Sequence, residues 1–189
     1  MDGDLSLRLA TAADVAAVLG LLTAGARYAQ SHGIDMWPDR FADEVLLGDI
    51  ERGELYVALL GDAVVATLTH TFVDLAVWGP DDGRASYVHR LAVSAECRGS
   101  GLGPQLLAWA GETGRERGRS LLRLDTLHEN ARLRAWYEGS GFVHVRDRDV
   151  DVPPGAASRP LLRVSLYERP VAPRSEAGDR AGRREELAR

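Results

Sequence analysis

The sequence predicts a mixed α/β fold: a mostly antiparallel sheet of about six to seven strands flanked by helices, with one parallel strand-helix-strand unit at its core. Three observations lead there. The Val/Leu/Thr-rich runs 55–60 and 63–72 are separated only by Gly61-Asp62, a two-residue signal for an antiparallel hairpin. An extended run over 85–93, a helical pattern of about sixteen residues from Gly101, and an apolar run over 121–126 follow one another. Strands joined through a helix of that length pair in parallel with a right-handed crossover. At the amino terminus, Leu5, Leu7 and Leu9 alternate with polar residues as a half-buried strand does.

The remaining elements fall between these. Thr11-Ala-Ala-Asp14 reads as a capping box opening a helix that runs to about Gln30, and a second helix is expected from about Asp39 to Arg52. Gly79-Pro-Asp-Asp-Gly83 closes the run that began at 63. A period of two through 85–93 places Tyr87, His89, Leu91 and Val93 on one face. In the helix after Gly101, Pro104 sits in the first turn, where its missing N–H costs nothing, and Leu102, Leu106, Leu107 and Trp109 form an apolar stripe. Asn130 caps a short helix to Glu138, Gly139 and Gly141 stop it, and strands near 142–148 and 161–168 complete a domain spanning 1–169. Residues 170–189 are charged and nearly devoid of large apolar side chains, so they are expected to form a disordered tail.

Composition narrows the function. The chain has 189 residues, 45% of them hydrophobic, enough for one substantial core. A net charge of -5 argues against a nucleic-acid surface. The single cysteine, Cys97, precludes an internal disulfide framework and, with no signal-peptide pattern and no run approaching eighteen apolar residues, suggests a cytoplasmic protein without a membrane segment. All 23 Lys+Arg residues are arginine, which excludes Schiff-base lysines and phosphate-loop lysines.

Arg98-Gly99-Ser100-Gly101-Leu102-Gly103 lies between a strand and a helix, where exposed N–H groups and the helix dipole make an anion site suited to a pyrophosphate. A flexible turn before a core helix would look the same. The Rossmann fingerprint needs a third glycine where Pro104 stands, so neither that fold nor a phosphate-loop nucleotide site fits. Arg98-x-x-Gly101-x-Gly103, preceded by Arg90-Leu-Ala-Val93 and followed by Leu106-Leu107, resembles motif A of the GCN5-related N-acetyltransferase (GNAT) superfamily. Asn130-Ala-Arg132-Leu-Arg-Ala-Trp-Tyr137-Glu-Gly-Ser-Gly141-Phe142, about thirty residues on, is similar to its motif B. The resemblance spans roughly residues 5–168. It implies acetyl-CoA as cosubstrate, its pantetheine arm pairing with the backbone of Leu91, Ala92 and Val93 and its pyrophosphate lying on the loop from Arg98 to Gly103. Glycine is expected in that loop because a Cβ would block the close approach. Asn130 and Arg132 become cofactor contacts by the same resemblance, although Asn130 is also an ordinary helix cap and Arg132 an ordinary solvated arginine.

Acetyl transfer needs a neutral amine, a stabilised oxyanion and a proton for the departing thiolate. Asn130, Arg134 and Tyr137 share one helix face, and Tyr137 matches the family tyrosine that protonates the sulfur. Packing in the core is the plainer role for that ring, as it is for Trp136. Many relatives carry a glutamate base on the strand before the loop; here Tyr87 and His89 stand on the corresponding face, and His89 is the base candidate, with a hydrogen-bonded structural histidine as its alternative. His32, His70, His128 and His144 lack metal-ligand spacing, and no metal is assigned. Tyr28, Trp37, Trp78 and Tyr87 are candidates for acceptor binding. The expected activity is N-acetylation of a primary amine on a small molecule by direct attack, with a peptide or protein amino group, or a non-catalytic acyl-CoA sensor, as alternatives. Partners are then a small-molecule amine, neither nucleic acid nor membrane, with a homodimer left open.

Overall fold

The computed structural model describes residues 4–151 and 160–171. Seven strands form one sheet in the order β1-β2-β3-β4-β5-β7-β6: β1 (Leu5–Leu9), β2 (Leu55–Leu60), β3 (Ala63–Thr71), β4 (Ala85–Val93), β5 (Leu121–Leu127), β6 (Val143–Asp151) and β7 (Leu161–Pro170). Every neighbouring pair is antiparallel except β4 and β5. Helices α1 (Val15–Gln30) and α2 (Asp43–Glu51) pack on one face of the sheet, α3 (Leu102–Glu116) and α4 (Ala131–Gly139) on the other. Strand β7 enters between β5 and β6, an order that the chain's linear pattern did not contain.

Local chemistry accounts for the element ends. The Thr11 N–H donates to Asp14 Oδ2 at 2.8 Å, and the Thr11 hydroxyl donates to the same atom at 2.9 Å, so the first turn begins where the capping pattern put it. Arg8 adds two hydrogen bonds to Asp14, at 2.7 and 2.8 Å, tying β1 to the helix that follows. The second helix starts at Asp43 rather than Asp39, because Pro38 to Ala42 form an irregular segment in which Phe41 is buried and Trp37 stacks edge-on against it. Pro170 belongs to β7, and the Val171 N–H donates to the Ser120 carbonyl at 2.9 Å. The expected tail from 172 on lies outside the described residues.

The core comes in three parts. Leu102, Leu106, Leu107 and Ala110 of α3 pack with Val88, Leu122, Leu124, Tyr137 and Phe142 on one side of the sheet. Val18, Leu19 and Leu22 of α1 pack with Leu46, Leu55 and Val57 on the other. A third cluster joins Trp78, Tyr87, Leu121 and Leu127 to Val150, Leu162, Val164 and Leu166 of the β6–β7 hairpin. The segment Ala12–Gln30 is long and apolar enough by composition to cross a bilayer, which corrects the expectation that no run approaches that length. Val18, Leu22 and Ala26 nevertheless bury one face of it against the sheet.

Strand β4 departs from a strict period of two. Opposite Leu68 of β3 it places two residues, since Thr69 faces His89 and Thr67 faces Ala92. Arg90 sits in this bulge with φ 49°, a left-handed conformation costing a non-glycine residue roughly 1–2 kcal/mol. Its guanidinium offsets that cost by pairing with the buried carboxylate of Asp49 on α2 and by donating to Thr69 Oγ1 at 3.1 Å. The extra residue reverses the alternation. Tyr87 and His89 lie on the face of Trp78, whereas Leu91 and Val93 pack toward α3, so the expectation that all four share one face is corrected.

His70 is fully buried between Phe72 and Trp109, with neither ring nitrogen hydrogen-bonded among the described residues. Burial pushes its imidazole from 6.5 down to about 4. The unfolded chain therefore takes up a proton near pH 6.5 that the folded chain refuses, and stability is full above pH 6.5 and lost as pH falls toward 4. Between pH 8 and pH 5 this contribution should fall by about 2 kcal/mol. Urea unfolding of wild type and His70→Leu at the two pH values measures it: the wild-type loss on acidification should exceed the variant's by that amount, and equal losses would assign the pH dependence elsewhere.

Candidate active site

Strands β4 and β5 pair only from Ala85↔Leu121 to Val88↔Leu124. Beyond that rung they diverge, and from His89 to Val93 strand β4 is paired with β3 alone. Its other edge carries main-chain groups that no described strand takes up. Leu91, Ala92 and Val93 lie along this edge. The chain then turns through a short 3-10 segment (Ala95–Cys97) into the glycine loop and α3.

Gly101 is the N-cap of α3, with φ 87°. Nothing stands within ordinary contact of a Cβ built there except the Gln105 amide, at 3.9 Å. The glycine is thus required by its left-handed backbone, and Gly99, at φ 78°, shares the reason. Gly103 differs. A Cβ on it would meet the Trp136 ring at 3.2 and 3.3 Å, so its small size lets α4 approach α3. Trp136 lies over this glycine and is partly exposed, which corrects its placement in the core. The amide groups at the start of α3 point out of the helix N-terminus with Arg98 and Ser100 beside them; the Ser100 hydroxyl donates to the Cys97 carbonyl at 2.7 Å.

Helix α4 closes the same corner. Asn130 Oδ1 accepts from the Leu133 N–H at 3.1 Å, the cap role that the sequence left open. Arg132 Nη1 donates to the Tyr28 hydroxyl at 2.9 Å, and the Arg98 guanidinium lies 4.2 Å over the Tyr28 ring. Tyr28, proposed from the sequence as an acceptor contact, therefore joins α1 to the two arginines on the loop side. Arg134 turns away toward the Tyr167 hydroxyl, at 3.1 Å.

Tyr137 is buried among Trp136, Phe142 and Tyr167. Burial, with the nearby Asp125 carboxylate as a second cause, pushes its phenol well above 10. The ring is thus packed and a protonated donor at once. Trp78, expected on an open loop, and Tyr87, expected on a strand, both offered as acceptor contacts, are core residues: Trp78 is 7% and Tyr87 1% exposed, with the Arg123 guanidinium 4.6 Å over the Trp78 ring. Trp37 packs against Phe41 and against the α1 backbone at Gly25.

His89 lies one residue beyond the last β4–β5 rung, and Asp125 holds the matching position on β5. Asp125 Oδ1 is 3.6 Å from His89 Nδ1, and Asp74 Oδ2 is 3.7 Å from His89 Nε2. Sequence reasoning looked for a carboxylate on β4 itself and missed both. Asp125 left a signal, as an acidic residue within the apolar strand Leu121–Leu127; Asp74, in the segment after β3, left none. His128 and His144 are drawn instead to Asp147, at 3.2 and 2.8 Å, at the β6 edge of the sheet.

Known proteins share this fold. The model of the acetyltransferase (GNAT) family matches residues 21–142. An uncharacterised N-acetyltransferase of Bacillus subtilis, YesJ, is 30% identical over 138 residues, 68% of this chain and 76% of that protein. A GNAT-family acetyltransferase from Listeria monocytogenes superposes with a TM-score of 0.68 at 22% identity, over 90% of this chain and 98% of that one. The acetyltransferase yncA of Salmonella typhimurium, solved with its cofactor acetyl-CoA, gives 0.63 at 20% identity, over 91% and 96%. The chain belongs to the GNAT family of acetyltransferases, enzymes for which acetyl-CoA is the typical cosubstrate.

Gly101→Ala tests the loop. Forcing alanine to a left-handed φ should cost about 1 kcal/mol or more in urea unfolding, and its Cβ, standing where a pyrophosphate is expected to approach the loop, should separately weaken coenzyme A binding by calorimetry about tenfold. An unchanged affinity would separate the loop from the cofactor.

Proposed function

We propose that the chain transfers the acetyl group of acetyl-CoA to a primary amine on a small molecule, by direct attack, in the cytoplasm. The observation that carries this reading is the free edge of β4 beyond Val88, which opens beside the glycine loop and next to Tyr137. The fit is a physical one. An amide-bearing arm adds to an unpaired strand edge as another strand would, and a helix N-terminus with positive-φ glycines presents N–H groups to a diphosphate. The main chain of Leu91, Ala92 and Val93, the loop residues 98–103, Asn130 and Arg132 are assigned this holding role.

When bound, acetyl-CoA supplies the thioester carbonyl that the amine attacks and the thiolate that leaves. His89 takes the proton that the amine must lose, directly or through water. Tyr137 gives its phenolic proton to the departing sulfur. A phenol held above its ordinary value is a weaker acid, but a thiolate in the same buried corner is a stronger base for the same reason, so the match survives. Tyr28 and Trp37, on α1 and in the segment after it, border the acceptor's route, while Trp78 and Tyr87 pack on each other in the core.

Tyr137→Phe should lower thiol release from acetyl-CoA, with an amine acceptor present, by about 100-fold or more, while calorimetry shows coenzyme A binding within about threefold of wild type. Full turnover in the variant would remove Tyr137 as the acid. Wild-type protein that binds no coenzyme A would remove the reading itself.

A further inference from the structure

Among the described carboxylates that are not exposed, two are short of positive charge. Asp14, Asp49, Asp81, Asp82 and Glu168 each face an arginine, and Asp147 faces two histidines. Asp74 and Asp125 have only His89 within ion-pair distance between them. The arginines nearby are engaged elsewhere: Arg123 binds Asp82 and Glu168, and Arg148 donates to the Val77 carbonyl at 2.6 Å. Asp74 is the telling member. Its side chain is 9% exposed, Oδ1 accepts from the Val77 N–H at 3.1 Å, and Oδ2, aimed at His89, is buried without a hydrogen-bond partner. Burial raises its carboxyl above the ordinary value, as befits a charge lacking its counter-ion.

We propose that Asp74 and Asp125, one at each ring nitrogen of His89, form the seat for the acceptor's ammonium group and select primary amines with no carboxylate beside the nitrogen. The inference rests on the acetyltransferase reading and adds to it a substrate class and two specificity residues. Ligand atoms from the three side chains lie within 4.8 Å of one another. An ammonium hydrogen-bonded at about 2.8 Å spans acceptors about 4.6 Å apart, a separation that this upper bound admits for the two carboxylates. The two carboxylates also face different ring nitrogens, which suits a donor with several N–H groups better than one metal ion.

The seat also explains how the nitrogen can be freed for attack. Carboxylates that bind an ammonium ordinarily hold its proton more tightly, but here the proton passes to His89, between the same two carboxylates. One positive charge lies in the cluster before and after that transfer, so their attraction opposes it little. The nitrogen lone pair then forms the C–N bond, the C–S bond breaks with its electron pair on sulfur, and the Tyr137 hydroxyl protonates the thiolate; the second proton that the nitrogen sheds on becoming an amide restores the phenol, directly or through water, and the proton held by His89 leaves to solvent.

Calorimetric titration of coenzyme A-saturated protein with butylammonium chloride tests this, with β-alanine as the anionic control and alanyl-alanine amide as the peptide-borne form of the same ammonium. Wild type should bind one butylammonium or peptide amide at least tenfold more tightly than β-alanine, and whichever of the two binds better names the source. Asp74→Asn and Asp125→Asn should each weaken that binding about tenfold or more with coenzyme A affinity unchanged, which shows the variants folded. Equal binding of β-alanine, unaltered amine binding in both variants, no amine binding to wild type, or stoichiometric zinc that displaces the amine would each overturn the seat. If coenzyme A itself fails to bind, the acetyltransferase reading falls, and the same amine titrations on the protein alone still decide the seat.

Discussion

The site depends on the parting of two parallel strands. The ladder between β4 and β5 stops at Val88 and Leu124, and the bulge at Arg90 turns the rest of β4 so that Leu91 and Val93 face α3 while His89 faces the opposite side. A left-handed arginine is an unfavourable residue for such a place, and it persists because Asp49 on α2 anchors its guanidinium from across the sheet. One ion pair thus couples the α1–α2 layer to the shape of the cleft. Had β4 continued as a regular strand beside β5, its edge would have been consumed by sheet hydrogen bonds and no arm could pair with it.

Charge is distributed with the same division of labour. Arginine is the only fully charged base in the protein, and its planar fork suits paired carboxylates and aromatic faces alike. Several guanidiniums knit elements together, as Arg8 does for β1 and the first helical turn and Arg123 for the 79–84 turn and β7. Others lie over rings, Arg98 on Tyr28 and Arg169 on Phe142. The cleft apex is where this pairing stops, and a histidine stands between carboxylates instead. Tyr137 packs in the α3–α4 layer and His89 lies on the other face of the sheet, with the Asp125 carboxylate near enough to act on both.

Most elements were legible because their signals are local. The capping box at Thr11 and Asp14, the Gly61-Asp62 hairpin, the Asn130 cap and the glycine stop at the end of α4 depend on side chains and backbone within a few residues. The start of α2 was misplaced because Phe41 and Trp37 find their partners in α1 rather than in a helical turn of their own. The face of Leu91 and Val93 was misjudged for a related reason. A period of two holds only while each residue on one strand faces one on the next, and a bulge set by a partner 41 residues away leaves no trace in the run itself.

By itself the sequence determined the strand and helix succession, the glycine loop before α3 and the residue types from which the chemistry must be drawn, since these follow from short-range stereochemistry and from composition. Tertiary structure alone decided the insertion of β7 between β5 and β6, the burial of Trp78 and Tyr87, and the meeting of Asp74, His89 and Asp125. Those depend on which distant surfaces pack together, and contacts between segments tens of residues apart are chosen by the burial and pairing of the whole chain, not by the local pattern of any one segment.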